Sequence, residues 1–93
     1  MLNSYINKDS NLYYRLLDFI FKFTGQMSNK LALSMSLKND LGVDSLTLTE
    51  MIISVEETFD IFLEEDDLNP ENMQTVEDIF FLVFKYVGKK EQD

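Results

Sequence analysis

The stretch "DLGVDSLTLTE", Asp40 to Glu50, decides how the chain is read. A glycine turn gives way to Asp44 and Ser45, both strong helix N-caps, and from Leu48 onward apolar residues recur at helical spacing. A helix therefore starts at Asp44 or Ser45 and runs to about Asp60, with Leu48, Ile52, Val55 and Phe59 on its core face. At 100° per residue these four lie within roughly 60° of one another. Leu46 and Ile53 fall roughly 130° to 150° away, on the solvent side with Glu50 and Glu57. Either one alone is an ordinary exposed apolar residue. Two of them at i and i+7, framed by carboxylates and beginning beside a serine, read as a docking stripe: apolar contact for affinity, charge for orientation and encounter rate.

Ser45 poses a separate question, because the chain has no histidine and no cysteine. A serine hydroxyl is a weak nucleophile at neutral pH and needs an adjacent base, most often an imidazole. Ser45 therefore either caps the helix or receives chemistry supplied elsewhere. A cap needs no further explanation. The same position also suits a phosphate ester, since free backbone N–H groups and the positive end of the helix dipole gather there.

On the N-terminal side, Leu12, Leu16, Phe19, Ile20 and Phe23 in "NLYYRLLDFIFKF" mark an amphipathic helix opening near Asp9 or Ser10 and closing near Gly25. "GQMSNKLALSMSLKNDLG" has no sustained period and reads as a long connection pinned to the core at points such as Leu33 and Leu37. On the C-terminal side, "IFLEEDDLNPENM" holds a short helical turn at most, because Asn69 and Pro70 break it. Thr75 and Asp78 resemble a capping box. Val76, Ile79, Phe80, Val83 and Val87 then form the core stripe of a last helix ending near Gly88, followed by the solvated tail "KKEQD". No strand alternation or internal repeat interrupts this pattern. The expectation is an all-α bundle of three main helices plus one short helix, a single domain over residues 1–93 with its core from about 9 to 88.

Composition narrows the function classes. With 45% hydrophobic residues, three glycines and one proline, the chain is neither disordered nor a turn-rich β fold. A net charge of −9 repels nucleic acid and anionic lipid and makes basic surfaces the natural partners. The absence of cysteine excludes a disulfide framework and a thiolate metal site. The start "MLNSYINKDS" lacks the regions of a signal peptide, and "IFFLVF", the longest apolar run, falls far short of the ~20 residues needed to cross a bilayer. The chain reads as a cytoplasmic monomer with no membrane or nucleic-acid partner.

Extended by "EMIISVEETFD", the motif "DLGVDSL" resembles the acyl and peptidyl carrier protein family, whose signature is an Asp-Ser-Leu at the start of the second helix of a four-helix bundle. The resemblance runs from the first helix through the last. It implies that Ser45 carries a 4′-phosphopantetheine arm, donated from coenzyme A by a separate magnesium-dependent phosphopantetheinyl transferase that Asp44 and Leu46 help to recognise. The arm's thiol then does the covalent work, and the protein is a shuttle and not an enzyme. The resemblance further implies that Leu46, Glu50, Ile53, Glu56 and Glu57 face loading and acyl-processing enzymes with basic docking surfaces. Thr47, on the same partner-facing turn, stands where fatty-acid carriers usually have an acidic residue, and the segment between Asp60 and Thr75 is slightly longer than theirs. With no linker composition at either end, the chain reads as a discrete carrier serving separate enzymes, in a polyketide or nonribosomal-peptide system in preference to housekeeping fatty-acid synthesis.

Two other classes compete. "DLNPENMQTVED" sets Asp67, Asn69, Glu71 and Asp78 near calcium-loop spacing, but an EF-hand needs glycine sixth and glutamate twelfth, where this stretch has Asn72 and Asp78. A helical adaptor with an acidic docking face and no prosthetic group would share the stripe on the second helix without modification at Ser45.

Overall fold

The structure is a computed structural model that describes residues 6–25 and 30–92. Most of the start segment, the 26–29 part of the long connection and the last residue of the polar tail lie outside the described residues. Three α-helices follow in order, α1 (Asn11–Thr24), α2 (Ser45–Phe59) and α3 (Val76–Gln92). The expected short helix is two 3₁₀ turns, Glu65–Leu68 and Pro70–Asn72, separated by Asn69.

Each helix begins where a short polar side chain satisfies orphan N–H groups. Ser10 caps α1 by accepting from the Tyr13 N–H, and Gly25 closes it in the left-handed conformation at φ 79°, donating to the Phe21 carbonyl. A side chain at Gly25 would meet no neighbour, so its backbone angle alone calls for glycine. The capping box of α3 is present in both directions. The Asp78 N–H donates to Thr75 Oγ1 at 3.2 Å, and the Thr75 N–H donates to Asp78 Oδ2 at 3.1 Å.

Leu16, Ile20, Met51, Val76, Phe80 and Val83 are fully buried between the three helices. The connection before α2 is ordered by main-chain pairing to the start of α3. The N–H groups of Val76 and Glu77 donate to the carbonyls of Met35 and Leu33, and the Leu37 N–H donates to the Gln74 carbonyl. Donors that a helix start leaves unpaired are thus satisfied by the loop. Leu37 is buried, Leu33 is half-buried, and a lone bridge joins Ser36 to Thr75.

Two expectations need correcting. Leu48 is half-buried, whereas Met51, absent from the predicted face, has no exposed surface. Leu48 points in the core direction but lies in the first turn, where the clefts described below leave it partly uncovered. The buried arc of α2, Met51 to Phe59, is closer to 100° wide than 60°. Second, α3 runs past Gly88 to Gln92, through most of the supposed tail. Lys90 Nζ bonds both the carboxylate (2.7 Å) and the carbonyl (3.0 Å) of Asp60, tying the last turn of α3 to the end of α2. Lysines in a last turn also suit the helix dipole.

Candidate functional site

Asp44, not Ser45, caps α2. Its Oδ1 accepts from the Thr47 N–H at 2.8 Å, leaving Ser45 as the first helical residue, exposed and not needed as a cap. Hydrogen bonds from the Thr47 backbone and then its side chain hold the Asp44 carboxyl below the usual carboxylate range. The cap is therefore ionised at neutral pH. The turn leading into it is held by the Asp40 carboxylate, which accepts from the Ser36 N–H, by the Ser36 hydroxyl, which accepts from the Asn39 N–H, and by Gly42 at φ 68°.

Two open clefts meet at Ser45. One, of about 410 Å³, lies between the 36–39 turn and the segment from Pro70 to Gln74. The other, of about 270 Å³, is more apolar and is walled by Leu48, Ile52, Leu68, Pro70 and Met73. Residues 61–73 read in the sequence as a mere connection, yet Leu68, Pro70 and Met73 from it wall these clefts. Leu68 and Met73, apolar residues on either side of Pro70, were the available signal.

The wall carrying Leu68 is latched to α3. Tyr86 Oη donates a hydrogen bond to Asp67 Oδ2 and accepts from the Glu64 N–H at 3.1 Å, with Lys85 Nζ 3.5 Å from the same carboxylate. The Tyr86 hydroxyl, foremost, and then Lys85 hold Asp67 below its ordinary value, while burial and then Asp67 raise the Tyr86 phenol. Tyr86→Phe should cost about 1 kcal/mol, because it takes one hydrogen bond from a half-buried carboxylate that keeps Lys85 and one from the Glu64 N–H. A carboxylate depressed on folding stabilises the fold above its unfolded pKa, and that contribution fades as pH falls through its folded value. The melting-temperature gap between wild type and Tyr86→Phe should therefore be full near neutrality and shrink below about pH 4. A gap that stayed constant to pH 2 would contradict an ionised Asp67 in the latch.

Along α2, Leu46 is 70% and Ile53 51% exposed, with Glu50 and Glu57 exposed beside them. Thr47 is half-buried. Glu56 departs from the expected outward set: its Oε2 accepts from the Leu63 N–H at 2.9 Å, and the residue is half-buried. Its carboxylate serves the turn after α2, so the exposed acidic row is Glu50 and Glu57.

The calcium-like spacing has other employment. Asn69 Oδ1 accepts from the Glu71 N–H, Asp78 caps α3 and Asp67 belongs to the latch. Among the described residues no group of three or more acidic side chains converges as a metal site, and no helix is long and apolar enough to cross a membrane.

The chain matches the phosphopantetheine attachment site family over residues 17–79, from within α1 to the first turn of α3. It is 49% identical over 55 residues to an acyl carrier protein of Desulforapulum autotrophicum, covering 59% of this chain and 64% of that protein's length. Acyl carrier proteins of Bdellovibrio bacteriovorus and Buchnera aphidicola align more fully, at 32% identity over 85% of this chain and 94% of theirs, and at 31% over 83% and 96%. With a capped second helix, a serine at its head and similarity running nearly the full length of such relatives, this chain belongs to the acyl carrier protein family, non-catalytic carriers whose prosthetic group is a covalently attached 4′-phosphopantetheine.

Proposed function

We propose that Ser45 bears the phosphopantetheine arm and that the protein, a cytoplasmic monomer, shuttles an intermediate between separate enzymes. The observation that carries this reading is the division of labour at the head of α2. Asp44 performs the capping, so the exposed Ser45 hydroxyl can be esterified without undoing the helix start. A phosphate there gains from the dipole of a 15-residue helix, and the flanking clefts give the arm room on either side. When attached, the arm supplies a thiol for carrying cargo as a thioester. Incubation with coenzyme A, magnesium and a broad-specificity phosphopantetheinyl transferase should add one arm per chain, whereas a chain that stays unmodified would overturn the reading.

Asp44 and Leu46 meet the transferase in this account, and Leu46, Thr47, Glu50, Ile53 and Glu57 meet enzymes with basic docking surfaces. The apolar pair supplies contact and the carboxylates supply steering. The relatives are acyl carrier proteins by name, which favours an acyl cargo and supports fatty-acid synthesis as a second reading. Thr47 favours a specialised polyketide or nonribosomal-peptide system, because an uncharged residue in the first docking turn removes an attraction that housekeeping partners expect. The armed protein should turn over poorly in a reconstituted housekeeping fatty-acid synthase, and Thr47→Asp should recover part of the loss. Full turnover by the unaltered protein would establish the fatty-acid reading instead.

A further inference from the structure

Phe62 is 83% exposed, more than either Leu46 or Ile53, and the docking stripe read from α2 does not include it. A lone exposed apolar side chain is ordinary, but the backbone around this one is held on both sides. The Ile61 N–H donates to the Glu56 carbonyl, the Leu63 N–H to Glu56 Oε2 and the Glu64 N–H to Tyr86 Oη. Ile61 is half-buried and Leu63 only 3% exposed, so the segment anchors inward through its neighbours and presents the Phe62 ring outward. This gives Glu56 and Tyr86 a shared consequence, since both fix the strap that carries the ring. A pre-positioned aromatic loses little freedom on binding, and such residues supply much of the energy of protein interfaces.

Position and charge indicate what covers it. Leu46, Ile53 and Asp60 recur every seven residues, so the stripe descends α2 to the turn at Asp60, two residues before Phe62. Glu57, Glu64, Glu65 and Asp66 around that turn are all exposed, on a chain of net charge −9. A second copy or an anionic membrane would bring like charge to the ring, whereas a protein with lysines or arginines around an apolar socket would complement it.

We propose that Phe62 is a second docking anchor, seated in a basic-rimmed apolar socket of the phosphopantetheinyl transferase that modifies Ser45; this rests on the arming of Ser45 proposed above. The distance is compatible with one partner. Helix α2 spans about 22 Å, and an ordinary interface of about 800 Å² per side is roughly 28 Å across. The test is steady-state arming by the transferase of the same genome, with wild type, Phe62→Ser and Phe62→Leu as substrates. Phe62→Ser should raise KM at least fivefold with kcat and melting temperature unchanged, and Phe62→Leu should stay within twofold of wild type. An unchanged KM with complete arming would overturn the Phe62 proposal alone, whereas failure of wild type to be armed would overturn the function it rests on. A fall in melting temperature for Phe62→Ser, or wild-type dimerisation that the substitution abolishes, would likewise assign the ring to packing or to self-association and overturn it.

Discussion

Replacing Val55 with aspartate should unfold the protein. Val55 is 1% exposed, in a core that also holds Leu16 and Ile20 of α1 and Ile79 and Val83 of α3. Among the described residues no buried polar side chain is available there to receive a new charge. The substitution therefore buries an unpaired carboxylate or forces it to protonate, at a cost of about 4 kcal/mol or more. Domains of this size have only ~5 to 15 kcal/mol in hand. Far-UV circular dichroism should show the loss of a cooperative thermal transition near room temperature. Ile53→Asp, two residues away on the exposed side, should melt within a few degrees of wild type. A stable Val55→Asp beside an unstable Ile53→Asp would mean that the faces of α2 are reversed.

Ser45→Ala should accept no phosphopantetheine while keeping its fold. The same change would be expected to loosen the helix start if Ser45 were the cap, by ~1 kcal/mol. Asp44 holds that role, so the cost should be smaller still, and the cap penalty should appear in Asp44→Ala instead. Intact-mass measurement after incubation with a transferase and coenzyme A separates the two functions of adjacent residues. Arming that survives Ser45→Ala would sink the site assignment. A large drop in melting temperature in Ser45→Ala, with none in Asp44→Ala, would sink the division of labour between them.

Where a structural feature depends on neighbours in sequence, the chain announced it. Ser10 and Gly25 bracket α1, Asp44 starts α2, and Thr75 with Asp78 starts α3, each through contacts no more than four residues apart. The solvent side of α2 was likewise legible, because a helical wheel needs only the period. Features created by distant partners were not. Gly88 signals a helix end, yet α3 continues to Gln92, and Lys90 in that added turn reaches Asp60. Glu56 looks like another surface carboxylate, and its capture by the Leu63 N–H depends on the turn that follows α2. Leu48 has the right angle for the core but the wrong height along the axis, a coordinate that periodicity does not contain. The clefts beside Ser45 belong to the same class. Their walls come from the 36–39 turn and the Leu68 to Met73 segment, which meet only after the connection is tied to α3.

Tandem mass spectrometry of the protein purified from its own organism decides whether Ser45 carries the arm in the living cell. Intact protein should show a species heavier by one phosphopantetheine, and fragmentation should place that group on the Ser45 side chain. Chains uniformly at the unmodified mass, or an adduct mapping to another residue, would contradict the account.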